Sequence, residues 1–338
     1  MLCVDIEVFA KVTLMSPNPK IGVYFSANDV VYNWTIAFLN SFRAFNPNLR
    51  LILIPFNDNC KRLLALRDIY DFDVYQDPTF ARLEALGQAF ELGHTATGPY
   101  WFRRFAAFWG PLDRFMYLDA RQVILADLQP LIMALDDHKF EFLHYDCALN
   151  QVYEPGPFRQ SLLRQGRGRG FNSGRWISYR GLFSIDKFEE LAANALKIRD
   201  QLNPRNTDQA FINYCCDTKP VCYGHLAEVA GKICQNGWAR QPGQIYHYNG
   251  KYYLWDYGGL DHKKQVILIH WAGCKSNFLM PRRNFYRKYL LEHNSPLEKL
   301  YLNFTLNTQS LPQIFFEPLR RNRIFNTTYH HLVRILHN

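Results

Sequence analysis

The chain has 338 residues, 48% hydrophobic and 20% charged, which excludes a disordered protein and provides for one large core or two modest ones. Its 39 Lys and Arg against 30 Asp and Glu give a net charge of +9, so anionic partners are expected: a nucleotide diphosphate, an anionic membrane face or nucleic acid. The eight cysteines form no Cys-x-x-Cys pair and match no zinc spacing, which argues for reduced thiols and a cytoplasmic setting over a disulfide framework, and no secretory signal or run of roughly 18 apolar residues is visible.

Residues 1–19 read as an N-terminal extension. The run Ile21–Ala27 is a compact apolar strand, followed by polar Asn28 and Asp29 and then by Tyr32, Trp34, Ile36, Ala37, Leu39 and Phe42 at helical spacing. Leu49–Pro55 is a second strand, a helix is expected to begin within Asn57–Leu66, and Asp73–Tyr75 is a third short strand. Such β/α alternation implies a mostly parallel sheet with helices on both faces. No Gly-x-Gly-x-x-Gly follows the first strand, which disfavours a dehydrogenase.

Around Asp119 the chain reads as two apolar runs, Phe115–Leu118 and Val123–Leu125, separated by a polar break short enough for one kinked strand. A carboxylate at the carboxyl end of a central strand faces the crevice where open α/β sheets bind ligands. Phe140–Tyr145 is a further strand. The segment from Gln151 to Gly170, ending in Arg164-Gln-Gly-Arg-Gly-Arg-Gly170, reads as a mobile basic loop that suits a lid over an anionic ligand; one short Arg-Gly copy is weak evidence for nucleic acid. Ile185–Leu202 is an amphipathic helix, and Thr207 is expected to cap a second one carrying Asp208 and Gln209 in its first turn. The tyrosine-rich span Tyr246–Gly259 reads as a hairpin with a buried aromatic face or as an aromatic shelf, and Val266–His270 is a strand ending in histidine.

Several of these segments, in this order, resemble the nucleotide-sugar-dependent glycosyltransferases with the GT-A fold, in particular glycosyltransferase family 8. Tyr117-Leu-Asp-Ala-Arg121 resembles the family's Tyr-Leu-Asp-x-Asp segment, Tyr100-Trp-Phe-Arg-Arg104 its Tyr-x-Arg helix, and Phe171-Asn-Ser-Gly174 its Phe-Asn-Ser/Ala-Gly turn. Asp208-Gln209 resembles its Asp-Gln pair, and His270 to Lys275 its His-x-x-Gly-x-x-Lys stretch, with Lys275 one residue early. The resemblance covers residues 20–280; residues 281–338 form a basic, aromatic C-terminal extension, whose end, Tyr329–Leu336, has the spacing of an interfacial helix for anionic lipid or of a helix packed on the main domain.

The resemblance implies a single GT-A-like (Rossmann-like) α/β domain with a central mixed, mostly parallel sheet. It also implies transfer of a sugar, with retention at the anomeric carbon, from a nucleoside-diphosphate sugar, UDP-sugar first among donors, to a glycan or other acceptor. The residues it points to for the donor are Ser26, Asn28, Asp29 and Tyr32 at the nucleoside, and Arg103, Arg104, Asp119, Arg121, Gly273 and Lys275 at the phosphates; Asn172, Asp208 and Gln209 fall at the sugar. Asn28 and Asp29 serve equally as helix caps, and either arginine as a solvated basic face. In the family a divalent ion, Mn or Mg, sits between two aspartates and a histidine, which would be Asp119 and His270 here. Arg121 replaces the second aspartate, and a guanidinium cannot be a ligand to a hard cation. Two outcomes stay open: Arg121 takes over the ion's work, or it pairs with Asp119 in a degenerate domain that binds nucleotide, glycan or a protein without turnover.

Overall fold

The computed structural model describes residues 19–90, 98–138, 140–255, 264–274, 276 and 279–308. Strand β1 (Ile21–Ala27) leads into helix α1 (Tyr32–Phe45), then β2 (Arg50–Pro55), β3 (Asp73–Val74) and α2 (Thr79–Phe90). There follow β4 (Arg114–Asp119), β5 (Gln122–Ile124), α3 (Gln129–His138), β6 (Phe142–His144) and α4 (Pro157–Arg164). Next come β7 (Arg175–Tyr179), α5 (Ile185–Leu196), α6 (Thr207–Thr218) and β8 (Tyr223–His225), then the hairpin β9 (Gln244–Tyr248) and β10 (Lys251–Trp255). The last elements are β11 (Lys264–Gln265), β12 (Leu268–His270), α7 (Arg283–Leu290) and α8 (Pro296–Thr308).

Seven strands form the central sheet in the order β3-β2-β1-β4-β7-β6-β8. The pairs β3–β2, β2–β1, β1–β4 and β6–β8 are parallel, and β7 runs antiparallel to both β4 and β6. This is the expected mixed, mostly parallel sheet. Period-2 alternation in its central strands builds two cores: Tyr24, Ile52, Ile54, Phe115 and Tyr117 pack on one face, Val23, Phe25, Leu51, Leu53, Met116 and Leu118 on the other.

Asp119 ends β4, and the chain does not continue as one kinked strand. It bends at Ala120–Arg121 and leaves the central sheet, because β5 pairs with β12 in a separate two-stranded sheet, Gln122 opposite His270. That bend brings a histidine distant in sequence beside the end of β4. A third core lies behind it, where Trp34 of α1, Val123, Trp271 and Tyr286 of α7 meet. Asn40 Nδ2 donates to the Tyr289 carbonyl at 2.7 Å, so the packed body runs past residue 280. Residues 1–18 of the extension, residues 309–338 with the lipid-spaced segment, and Lys275 lie outside the described residues. Among the described residues no helix is long and apolar enough to cross a membrane.

The stretch expected to be a loose basic lid is built otherwise. Residues Pro157–Arg164 are helical, with Pro157 at the position where a missing N–H costs nothing. Beyond them Gly166, Gly168 and Gly170 take left-handed conformations, Arg167 Nη2 donates to the carbonyls of Cys216, Lys219 and Val221, and Arg169 pairs with Glu228. Arginines spent on carbonyls and a glutamate anchor this segment to the end of α6 and to the chain that follows it, as far as Glu228 beyond β8. Thr207 is likewise the first residue of α6 and not its cap, which is Asn206, without a side-chain capping bond.

Candidate active site

Strands β1 and β4 are adjacent and parallel, with Ser26 in register with Asp119, so their carboxyl ends open on one crevice. A cavity of about 560 Å³ lies there. Its wall includes Ser26, Asn28, Arg104, Asp119, Arg121, Asn172, Asp208, Gln209, His270 and Gly273, all singled out from the sequence.

Arg104 organises the acidic side. Buried in the 3₁₀ segment Phe102–Phe108, it lies 3.3 Å from Asp119 Oδ1 through Nη2 and 3.1 Å from Asp208 Oδ2 through Nη1. Nη1 also donates to Ser173 Oγ at 2.8 Å, and Ser173 Oγ donates in turn to Asp208 Oδ2 at 2.6 Å. Burial alone would lower the Arg104 pKa, but the charges of Asp119 and Asp208, with Tyr117, more than reverse this and the cation is secured. Tyr117 Oη donates to Asp119 Oδ1 at 2.9 Å. Asp208 is fully buried, its pKa is raised by desolvation against the opposing pull of Arg104 and Ser173, and its Oδ1 has no hydrogen-bond partner among the described residues.

The turn Phe171–Gly174 sits beneath these groups. Asn172 Oδ1 accepts from the Gly174 N–H at 2.9 Å, its Nδ2 donates to Gln209 Oε1 at 2.9 Å, and Gln209 Nε2 donates to the Gln151 carbonyl at 3.1 Å. Gly174 is required by close approach: a Cβ there would stand 2.3 Å from Asp119 Oδ2 and 2.8 Å from Asn172 Oδ1. Its carbonyl accepts from the Asp119 N–H and Gln122 Nε2, each at 2.9 Å, which ties the turn to the bend after β4.

Opposite, Arg175 is fully buried, paired with Asp146 at 3.0 Å, and its guanidinium carbon lies 4.4 Å from the centre of the Trp238 ring. The Trp238 ring stacks on His270 at 5.2 Å and 10°. His270 is buried and its Nδ1 has no partner among the described residues. Desolvation first, then the charges of Arg175, Arg104 and Arg121, hold its pKa well below the usual range.

No protein-family model matches the sequence, and no curated protein matches it. Solved structures do. The galactosyltransferase LgtC, in complex with donor and acceptor sugar analogs, matches with a TM-score of 0.52 and 14% identity, covering 82% of this chain and 98% of its own. WbbM, a bifunctional glycosyltransferase in its apo form, matches at 0.50 and 13% identity, covering 86% of this chain and 52% of its own, so the chain spans about half of that protein. The chain has the GT-A glycosyltransferase fold.

Within this GT-A crevice three expected donor residues are occupied elsewhere. Asp29 accepts from the N–H groups of Arg62 and Leu63 at 3.0 and 3.1 Å and so caps the short helix Lys61–Leu64. The Tyr32 ring lies under the Arg62 guanidinium at 3.9 Å, outside the cavity wall. Arg103 bonds Glu84 at 2.5 Å, Asp58 at 3.2 Å and the Pro55 carbonyl, so of the two adjacent arginines it is the structural one. Trp101, Ser173 and Trp238 line the cavity and were not singled out from the sequence. Ser173 lies inside the recognised turn and was legible there; Trp238 carries no local signal.

The GT-A residues that would hold a divalent ion do not fit one. A hard cation needs several oxygen donors. Arg104 already neutralises both carboxylates, Asp119 through Oδ1, which also accepts from Tyr117, and Asp208 through Oδ2, which also accepts from Ser173, and Arg121 adds a fixed positive charge in the same wall. Among the described residues no three His, Cys, Asp or Glu side chains cluster as a metal site. Nor does Arg121 pair with Asp119; Arg104 fills that place.

Proposed function

We propose that the chain transfers a sugar, with retention of anomeric configuration, from a nucleoside-diphosphate sugar to a hydroxyl of a glycan or similar acceptor. The observation that carries this reading is the meeting of Arg104, Asp119, Asp208, Asn172 and Gln209 in one cavity at the carboxyl ends of β1 and β4. Its volume falls in the range of small-ligand sites. The nucleoside is assigned to the Ser26 and Asn28 end, where Asn28 Nδ2 is held by Asn57 Oδ1 at 3.2 Å. The sugar is assigned to Asp208, Asn172 and Gln209, because these three side chains line one end of the cavity with the amide and carboxylate groups that bind sugar hydroxyls. UDP-sugars are the first donors to test. In the reaction the bond from the anomeric carbon to the β-phosphate oxygen breaks, the nucleoside diphosphate leaves with the electron pair, and the acceptor oxygen forms the new bond as its proton passes to solvent.

Incubation with a panel of UDP- and GDP-sugars should give saturable binding with slow donor hydrolysis, accelerated by the correct acceptor. Binding without turnover across acceptors would favour the non-catalytic reading, and no binding of any donor would overturn the assignment of the cavity.

A further inference from the structure

Of the arginines around the cavity, one has no acceptor among the described residues. Arg104 is shared between Asp119 and Asp208, Arg175 belongs to Asp146, and Arg103 to Glu84 and Asp58. The Arg121 guanidinium has no acceptor among the described residues, although its backbone is fixed by the Trp271 N–H, 3.0 Å from its carbonyl. It is half-buried, so its five N–H donors are drawn from water without a full replacement. His270, on the strand paired with the one that follows Arg121, lines the same cavity with its imidazole. A fork of unpaired guanidinium donors beside an imidazole on one wall matches a ligand that is anionic and rich in oxygen.

We propose that Arg121 and His270 receive the leaving diphosphate directly and that the site works without a divalent metal. This rests on reading the cavity as a nucleoside-diphosphate site. As the anomeric bond breaks, negative charge grows on the β-phosphate oxygen, and a guanidinium already fixed in place stabilises that charge without reorganising. A dication in the same position meets Arg121 and Arg104 as like charges, and the partly exposed carboxylate it meets among the described lining residues, Asp119, is already paired with Arg104.

The test is calorimetric titration of UDP, and separately GDP, into the full chain in excess EDTA and in manganese chloride. The wild type should bind one of them in EDTA within about twofold of its affinity in manganese. Arg121→Gln should weaken binding in EDTA about tenfold or more, Arg121→Lys should recover part of it as a point charge, and Arg121→Asp should lose binding in EDTA and gain a manganese-dependent mode. Arg121 is half-buried and has no ion pair among the described residues, so these variants should retain the wild-type melting temperature. Wild-type binding that appears only with manganese, or an Arg121→Gln variant that binds UDP in EDTA as the wild type does, would overturn the metal-free assignment while leaving the donor site standing. No binding of either nucleotide in any condition would overturn the donor site itself.

Discussion

Helix α6 carries a buried aspartate near each end, and the two are used differently. Asp217 has both oxygens satisfied: Tyr153 Oη donates to Oδ2 at 2.6 Å, while the Gly168 N–H at 2.9 Å and Tyr223 Oη donate to Oδ1. Asp208 is satisfied only at Oδ2, and its Oδ1 is left without a partner in the cavity wall. Burial raises both pKa values, so a shifted carboxyl alone does not mark a site. The distinguishing feature is an acceptor left unused on a residue that lines a space large enough for a ligand. Asp217 anchors the glycine-rich segment to the fold; Asp208 belongs to the cavity.

The contrast is broken most severely at Asp217. Asp217→Ala strands two phenol hydroxyls and an N–H, and should cost roughly 3–5 kcal/mol in urea unfolding; a loss under about 1 kcal/mol would erase the distinction. Asp208→Asn, close to isosteric, should instead leave the unfolding midpoint nearly unchanged and lower sugar transfer about 100-fold, the scale of a lost charge at a polar reaction centre. Gly174→Ala should follow, with a turnover loss of about tenfold and a fold intact by circular dichroism, since the added methyl pushes on Asp119 Oδ2.

A pH series sharpens the comparison further. With folded pKa values raised above the ordinary 3.8, both carboxyls hold their protons to higher pH in the native state than in the unfolded chain. Their contribution is therefore fully present below about pH 3.8 and declines as pH rises through the raised values. Asp217→Asn should flatten that decline in a pH series of unfolding midpoints. An unchanged slope would mean that Asp217 does not titrate with folding.

Local pattern carried the framework. Apolar runs at Ile21–Ala27 and Phe115–Leu118, bounded by polar residues, read as buried strands, and the helical spacing from Tyr32 placed α1, because burial of alternate or periodic side chains is decided within a few residues. The segments Phe171–Gly174 and Asp208–Gln209 were legible for a related reason: a turn with a glycine under a carboxylate and an acid at a helix start are local devices that keep their residues together in sequence. What lay beyond local reach was direction. Arg103 and Arg104 are adjacent and chemically equal, and only the rotation of the 3₁₀ segment against α2 and α6 turns one to Glu84 and the other to Asp119 and Asp208. Asp29 and Tyr32 have the composition of a nucleoside site, yet the short helix at Lys61–Leu64 packs onto them and takes their bonds. The basic glycine segment looked loose because its arginines' partners, the carbonyls after α6 and Glu228, are some 50 residues further along the chain. Asp146 pairs with Arg175, Arg175 lies over Trp238 and Trp238 stacks on His270, each from a separate loop or strand, a stack with no sequence period. Sequence therefore determined which elements form and which chemistry they carry. The tertiary structure decided which of those groups still have an unused hydrogen bond to offer, because satisfaction depends on partners brought from far along the chain.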